Sequence, residues 1–173
     1  MRKTMLLLLA AMMLALAACG AKKEALPSPL DYIDSVTGID LAAETGGLSD
    51  LGISEQEVVA QRGEPTFRGT LKGATSWRGE VILDYEDFTY NLNGGQVDGY
   101  SLKGDAATAR QVKIGDDKSR IEAQYGKDYY VREMDQIRLM GYLDKQNGRV
   151  IEFLLENDRA TVILVADFAM YES

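Results

Sequence analysis

The tightest constraint on the fold is a run of alternating side chains that ends in a hairpin turn. Phe88, Tyr90 and Leu92 are apolar, Thr89 and Asn91 between them are polar, and Asn93-Gly94-Gly95 follows. A period of two places successive side chains on opposite faces of a strand. Asn-Gly supplies the positive φ angles of a tight hairpin turn, so a return strand is expected near Gln96 to Leu102. Upstream, Trp77, Gly79, Val81, Leu83 and Tyr85 alternate with Arg78, Glu80, Asp84 and Glu86. Ile82 alone breaks that alternation, and the stretch predicts the preceding strand.

A helix precedes these strands. Ser54 and Glu57 have the spacing of a capping box, and Ile53 and Val58 that of a hydrophobic staple. Gly63 fits the left-handed position beyond a helix end, and Pro65 blocks continuation. The expectation is about two and a half turns. Leu30 to Leu51 is less periodic: Thr37-Gly38 and Thr45-Gly46-Gly47 interrupt it, leaving one short helix expected around Asp40 to Glu44.

The same plan recurs sixty-three residues later. Leu51-Gly52 matches Ile114-Gly115, Val58 matches Ile121, Ala60-Gln61 matches Ala123-Gln124, and Gly63 matches Gly126. Phe88, Tyr90 and Leu92 fall on Ile151, Phe153 and Leu155, and the turn falls on Glu156-Asn157-Asp158. Between helix and last hairpin the offset slips, with Leu83-Asp84 set against Leu143-Asp144. The expected fold class is therefore α+β: two tandem repeats, each a short helix or helix pair packed on a three- to four-stranded antiparallel sheet. Shared glycine caps alone would not hold one offset across helix and hairpin. The final strand, Ala160 to Phe168, is apolar on both sides, which predicts burial on both faces.

At the other end, Arg2 and Lys3 precede an uncharged run from Met5 to Ala18, and the only cysteine, Cys19, follows Ala17 and Ala18. This is the layout of a secretory signal, too short to span a bilayer. Leu16-Ala17-Ala18-Cys19 resembles the lipobox of bacterial lipoproteins. That resemblance implies cleavage before Cys19 and diacylglycerol on its thiol, anchoring the protein to a bacterial membrane outside the cytoplasm. A lone exported thiol would otherwise be reactive and unpaired. Two acyl chains contribute on the order of 20 kcal/mol of membrane affinity. The organisation expected is a signal peptide over 1–18, a lipidated tether over 19–29, and helix-plus-sheet units over 30–104 and 105–173.

Composition then excludes chemistry. Losing Arg2 and Lys3 takes Lys plus Arg from 19 to 17 against 27 Asp plus Glu, so the mature chain carries a net charge of −10. Such a chain neutralises no phosphates, so no nucleic-acid partner is expected. It contains no histidine, which removes the commonest general base, the commonest zinc ligand and every Ser-His or Cys-His pair. Asp84, Glu86 and Asp87 have the residue types of a glycoside hydrolase, yet alternation places them at a solvated strand end. Asn91, Asn93, Asp98 and the pair Asp116-Asp117 lack EF-hand spacing. Ser76 lacks a nucleophile-elbow setting. No catalytic residue, metal or cofactor is expected. Trp77 with Arg78, Arg68 and Lys72 is a candidate partner-binding patch, because Trp and Arg dominate interface hot spots. Its alternative is a core tryptophan. Tyr129 and Tyr130 are a second candidate, straddling a strand.

Leu51-Gly52-Ile53-Ser54-Glu55-Gln56-Glu57-Val58, followed by Gly63-Glu64-Pro65, resembles the opening of the SmpA/BamE-like domain. That domain occurs in small lipoproteins and, as a tandem pair, in β-lactamase inhibitory proteins. The second copy departs from it, with Asp116-Asp117 in place of Ile53-Ser54 and Asp128 in place of Pro65. The resemblance implies helices on a short antiparallel sheet and action through protein contacts. The expected function is a lipid-anchored, non-catalytic module that binds an envelope protein or an extracellular ligand. The alternatives are an inhibitor of an extracellular enzyme and, behind it, a carboxylate-dependent hydrolase.

Overall fold

The computed structural model describes residues 27–70, 80–134 and 137–172. Its elements run α1 (Glu55–Arg62), β1 (Phe67–Thr70), β2 (Val81–Asp84), β3 (Phe88–Asn93), β4 (Gln96–Leu102), α2 (Lys118–Tyr125), β5 (Tyr130–Met134), β6 (Ile137–Asp144), β7 (Arg149–Glu156) and β8 (Arg159–Asp167). Short 3-10 turns at Pro29–Tyr32 and Phe168–Tyr171 stand near the two ends.

Both helices end as their sequences require. Ser54 accepts from the Glu57 amide at 3.3 Å while the Glu57 carboxylate accepts from the Ser54 amide at 2.8 Å, a reciprocal cap. Asp117 caps α2 by accepting from the Arg120 amide at 2.9 Å. Gly63 and Gly126 terminate the two helices at φ +80° and +93°, where a Cβ would be strained.

All eight strands form one antiparallel sheet, ordered β1-β2-β3-β4-β8-β7-β6-β5. This corrects the expected α+β architecture of two repeats with a sheet each. β4 pairs with β8 through Gly99↔Ala166, Tyr100↔Val165 and Ser101↔Leu164, so the described residues form one β-rich sheet carrying two eight-residue helices. The physical reason lies in β4 and β8. Left apart, each would expose a row of unpaired N–H and C=O groups, and joining them removes both edges. The helix expected near Asp40 to Glu44 is also absent. That stretch is a series of turns, with the Leu41 amide donating to Asp144 Oδ2 at 2.7 Å and Gly46 and Gly47 at positive φ.

The main core lies between the helices and one face of the sheet. Val58 and Ile121 from the helices meet Leu83, Tyr90, Leu92, Tyr100, Tyr142, Ile151, Phe153, Ile163 and Val165, all buried. A smaller core lies on the opposite, helix-free face. There Leu143, Val150, Ala166 and Tyr130 are covered by Tyr32, Ile33 and Val36 from one end of the described chain and Phe168, Met170 and Tyr171 from the other. Among the described residues, no helix is long and apolar enough to cross a membrane.

Candidate interaction surface

The helix-free face holds the most buried ion pair among the described residues. Arg132 on β5 and Glu152 on β7 lie on either side of β6, and their side chains are 7% and 1% exposed. Arg132 Nη2 donates to Glu152 Oε2 at 2.6 Å, and the Tyr130 hydroxyl donates to Oε1 at 2.7 Å. Gly141, opposite Tyr130 on β6, makes this possible. A Cβ there would sit 2.2 Å from Tyr130 Cζ, so only glycine lets the ring lie across the strand. Tyr32 stacks on Tyr130 at 5.1 Å and 18°, closing the site from above. Burial, reinforced by the Glu152 charge, holds the Tyr130 and Tyr171 hydroxyls far above the usual tyrosine range, so both remain donors. Arg132 Nη1 also donates to the carbonyl of Pro27, which fastens the start of the described chain to the sheet. A buried ion pair is weak support for stability, because desolvation offsets its attraction. Its role here is positional: it fixes where the N-terminal segment meets the domain.

A second polar cluster has the opposite character. Asp98 is the extra residue of a β4 bulge, between the pairs Asn91↔Gly99 and Leu92↔Val97. It is buried; Asn93 donates to its Oδ2, and its Oδ1 has no partner. Desolvation, with the nearby Asp167 charge adding to it, pushes the Asp98 carboxyl up to about 6. Asp167 is itself raised, by burial first, although Arg149 Nε stands 3.6 Å away. Arg149 is shared with Asp50 and with the Ala42 carbonyl at 3.0 Å. Among the described residues, no three acidic or thiol side chains converge in a way that suits a metal.

The sequence-derived candidates are dispersed. Cys19, Trp77 and Arg78 lie outside the described residues. Tyr129 and Tyr130 are neighbours on the chain but face opposite ways. Tyr129 packs on the helix side, donating to Glu122 at 3.1 Å beneath the Lys118 ammonium, whereas Tyr130 is enclosed on the helix-free side. Asp84 is tied to Lys103 at 2.8 Å and accepts from Thr89 at 2.6 Å, Asp87 is paired with Arg62, and Glu86 is exposed. These carboxylates do not line a common cleft. A cavity of about 550 Å³ runs between Thr37–Ala42 and Asp144–Asn147. Of its two carboxylates, Asp144 accepts from the amides of Leu41, Gln146 and Asn147, and Asp40 accepts from the amide of Ala42.

What sequence reasoning missed is the apolar part of the helix-free face. The register Arg132↔Leu139, Leu139↔Leu154, Leu154↔Val162 sets four side chains in one row on that face. Val162 is 42% exposed, and Leu139, Leu154 and Leu164 are half-buried and belong to neither core. Phe67 on edge strand β1 is 60% exposed, its ring lying over Gly69. The available signal was the double-sided apolarity of β8, which predicts complete burial, whereas Val162 is left open.

No family model matches the chain, and no curated protein matches it. Three solved structures are similar in outline. An extracellular protein containing an SCP domain from Bacillus anthracis aligns at TM-score 0.47 and 9% identity, over 75% of this chain and 47% of that one. A DUF4309 family protein from Bacillus subtilis aligns at TM-score 0.47 and 13% identity, over 81% and 93%. A cysteine-rich secretory protein from Staphylococcus aureus aligns at TM-score 0.45 and 9% identity, over 77% and 52%. The chain spans about half the length of the first and third.

Proposed function

We propose that this is a lipid-anchored, extracytoplasmic binding module without catalytic activity, held to a bacterial membrane by diacylglycerol on Cys19. The observation that carries the reading is the Leu16-Ala17-Ala18-Cys19 sequence after a short basic start and an uncharged run. The fold is compatible with it. The first described residue, Pro27, is already fastened to the sheet by Arg132, so Cys19 lies only eight residues from the domain. That length reaches at most about 28 Å, a leash rather than a linker to a distant site. The likeness of residues 51–65 to SmpA/BamE-like openings, whose members act through protein contacts, supports a protein partner. The hydrogen-bonded carboxylates and the absence of histidine favour binding over hydrolysis.

The decisive experiment is mass spectrometry of the N-terminal peptide from protein extracted from membranes. The reading requires a chain beginning at Cys19 with a diacylglyceryl thioether. An unmodified Cys19 still joined to residues 1–18 overturns it. Crosslinking in intact cells then tests the binding role: a reproducible protein adduct is expected, and its absence at several surface positions counts against a protein partner.

A further inference from the structure

The helix-free face of the sheet is closed at one end and open at the other. Tyr32, Val36, Phe168 and Met170 cover the part formed by Tyr130, Leu143, Val150 and Ala166. Beyond them lie Leu139, Leu154, Val162 and Leu164, with Val162 the most open. Thr89 and Ser101 continue the Leu164 row through Thr89↔Ser101 and Ser101↔Leu164, and the row ends on the Asp84–Lys103 ion pair, so the aliphatic strip is bordered there by a neutralised pair.

The place where the chain leaves the domain adds the second observation. Arg132 ends the row Val162–Leu154–Leu139–Arg132 and holds the Pro27 carbonyl. At about 4.8 Å per strand, Val162 stands roughly 14 Å from Arg132. Cys19 is eight residues before Pro27, within about 28 Å when fully extended. The tether therefore starts at the margin of the open strip.

We propose that this strip lies against the bilayer in which Cys19 is anchored, so that the protein stands on its helix-free face with α1 and α2 turned away. The proposal rests on the lipid-anchor reading and adds an orientation to it. A chain of net charge −10 is repelled by anionic headgroups over most of its surface. An uncharged aliphatic strip at the foot of a short tether is the part that can approach lipid at no such cost. Contact with acyl chains removes the exposed surface of Val162 and its neighbours from water, and the anchor supplies the affinity.

The test uses the full chain, acylated in its bacterial host and reconstituted into phosphatidylethanolamine–phosphatidylglycerol vesicles. Acylation blocks Cys19, so Val162→Cys gives a single thiol for an environment-sensitive nitrobenzoxadiazole label. Leu139→Cys is a second position on the strip, and Gln56→Cys on the exposed side of α1 is the reference. In vesicles the strip labels are expected to shift to the blue, with iodide quenching reduced several-fold relative to position 56. In a soluble Cys19→Ser chain lacking residues 1–18, all three positions should be quenched alike. Equal quenching in vesicles, with Cys19 acylation verified on the same sample, overturns the orientation and leaves the anchor reading intact. Protection already present in the soluble chain also overturns it, assigning the strip to the chain's own tether if independent of concentration and to a second copy if not. Absence of the lipid removes the anchor reading and this proposal together.

Discussion

On the helix side of the sheet, the two strand tyrosines that reach the helix ends are satisfied by backbone, whereas Tyr125 of α2 donates to the buried Glu44 carboxylate at 2.6 Å. The Tyr85 hydroxyl donates to the Gly63 carbonyl at 2.9 Å and the Tyr142 hydroxyl to the Gly126 carbonyl at 2.7 Å, so each helix end is tied to a strand by a neutral bond. On the other side the covers are the ends of the described chain. Polar groups there are satisfied by other charged groups, as at Glu152, or are left short of a partner, as at Asp98. A helix brings its own hydrogen bonds, so it can cover a sheet with an apolar stripe alone. An irregular segment must be fastened at points, and each point is a buried polar group with a desolvation cost. The helix side should therefore tolerate loss of a polar contact, and the helix-free side should not.

The largest expected effect tests that contrast. Glu152→Ala leaves Arg132 buried without its carboxylate and removes the acceptor of Tyr130. Denaturant unfolding should show a loss of about 3–5 kcal/mol. The Pro27 segment should also become more sensitive to protease than α1. A loss below about 1 kcal/mol, the range of an exposed pair, would mean the pair is not closed from solvent in solution.

Asp98→Asn should act in the opposite direction, and only above mildly acidic pH. The folded-state pKa of Asp98 is raised to about 6 by burial and by Asp167, from an ordinary value of 3.8. The folded protein therefore holds this proton more tightly than the unfolded chain does. Stability from this group is greatest below about pH 4 and is lost as pH rises towards 6, by at most about 3 kcal/mol. Asp167, Asn93 and Tyr171 face the same carboxyl and set the size of the effect. Subtracting the stability profile of the Asp98→Asn variant from the native one removes carboxylates such as Asp84 and Asp144, which titrate in the opposite sense. The advantage of the variant should be constant above about pH 7 and disappear between about 6 and 4. A difference independent of pH would show that Asp98 is ionised at ordinary values.

Gly141→Ala sharpens the comparison within one strand. The new methyl meets the Tyr130 ring, which must swing off β6 and give up Glu152. A loss of about 1–3 kcal/mol is expected from overpacking. Combined with Tyr130→Phe, the penalty should be less than the sum of the two changes, because both remove the same hydrogen bond.

The helix side was the more legible half of the molecule, and the reason is range. The Ser54–Glu57 box, the Gly63 terminator and the Phe88–Tyr90–Leu92 alternation are local patterns, and the structure places a helix and strands there. The union of all strands in one sheet depends on β4 meeting β8, sixty-odd residues away, and no local pattern encodes that. The expected Asp40–Glu44 helix failed for a related reason: Asp144, a residue 103 positions from Leu41, holds that segment as turns. Glu152 did carry a readable signal. A carboxylate within Val150-Ile151-Glu152-Phe153-Leu154 must find a partner if the strand is buried on both faces, although the sequence does not say that Arg132 supplies it.

The smallest effect is expected on the helix side, where Tyr142→Phe removes one neutral hydrogen bond while preserving the ring. Tyr142 is fully buried, but the carbonyl it serves belongs to exposed Gly126, so water can replace the hydroxyl at the acceptor. The ring contacts with Tyr125 at 5.3 Å and Phe153 at 6.3 Å remain. The expected loss is thus about 0.5–1.5 kcal/mol, the ordinary net contribution of such a bond. Tyr85→Phe should cost the same or less, because Tyr85 lies nearer solvent and Gly63 is likewise exposed. If either substitution approached the loss seen with Glu152→Ala, the helix ends would be fastened by these hydroxyls rather than by the packing of Val58 and Ile121, and the contrast between the two faces would disappear.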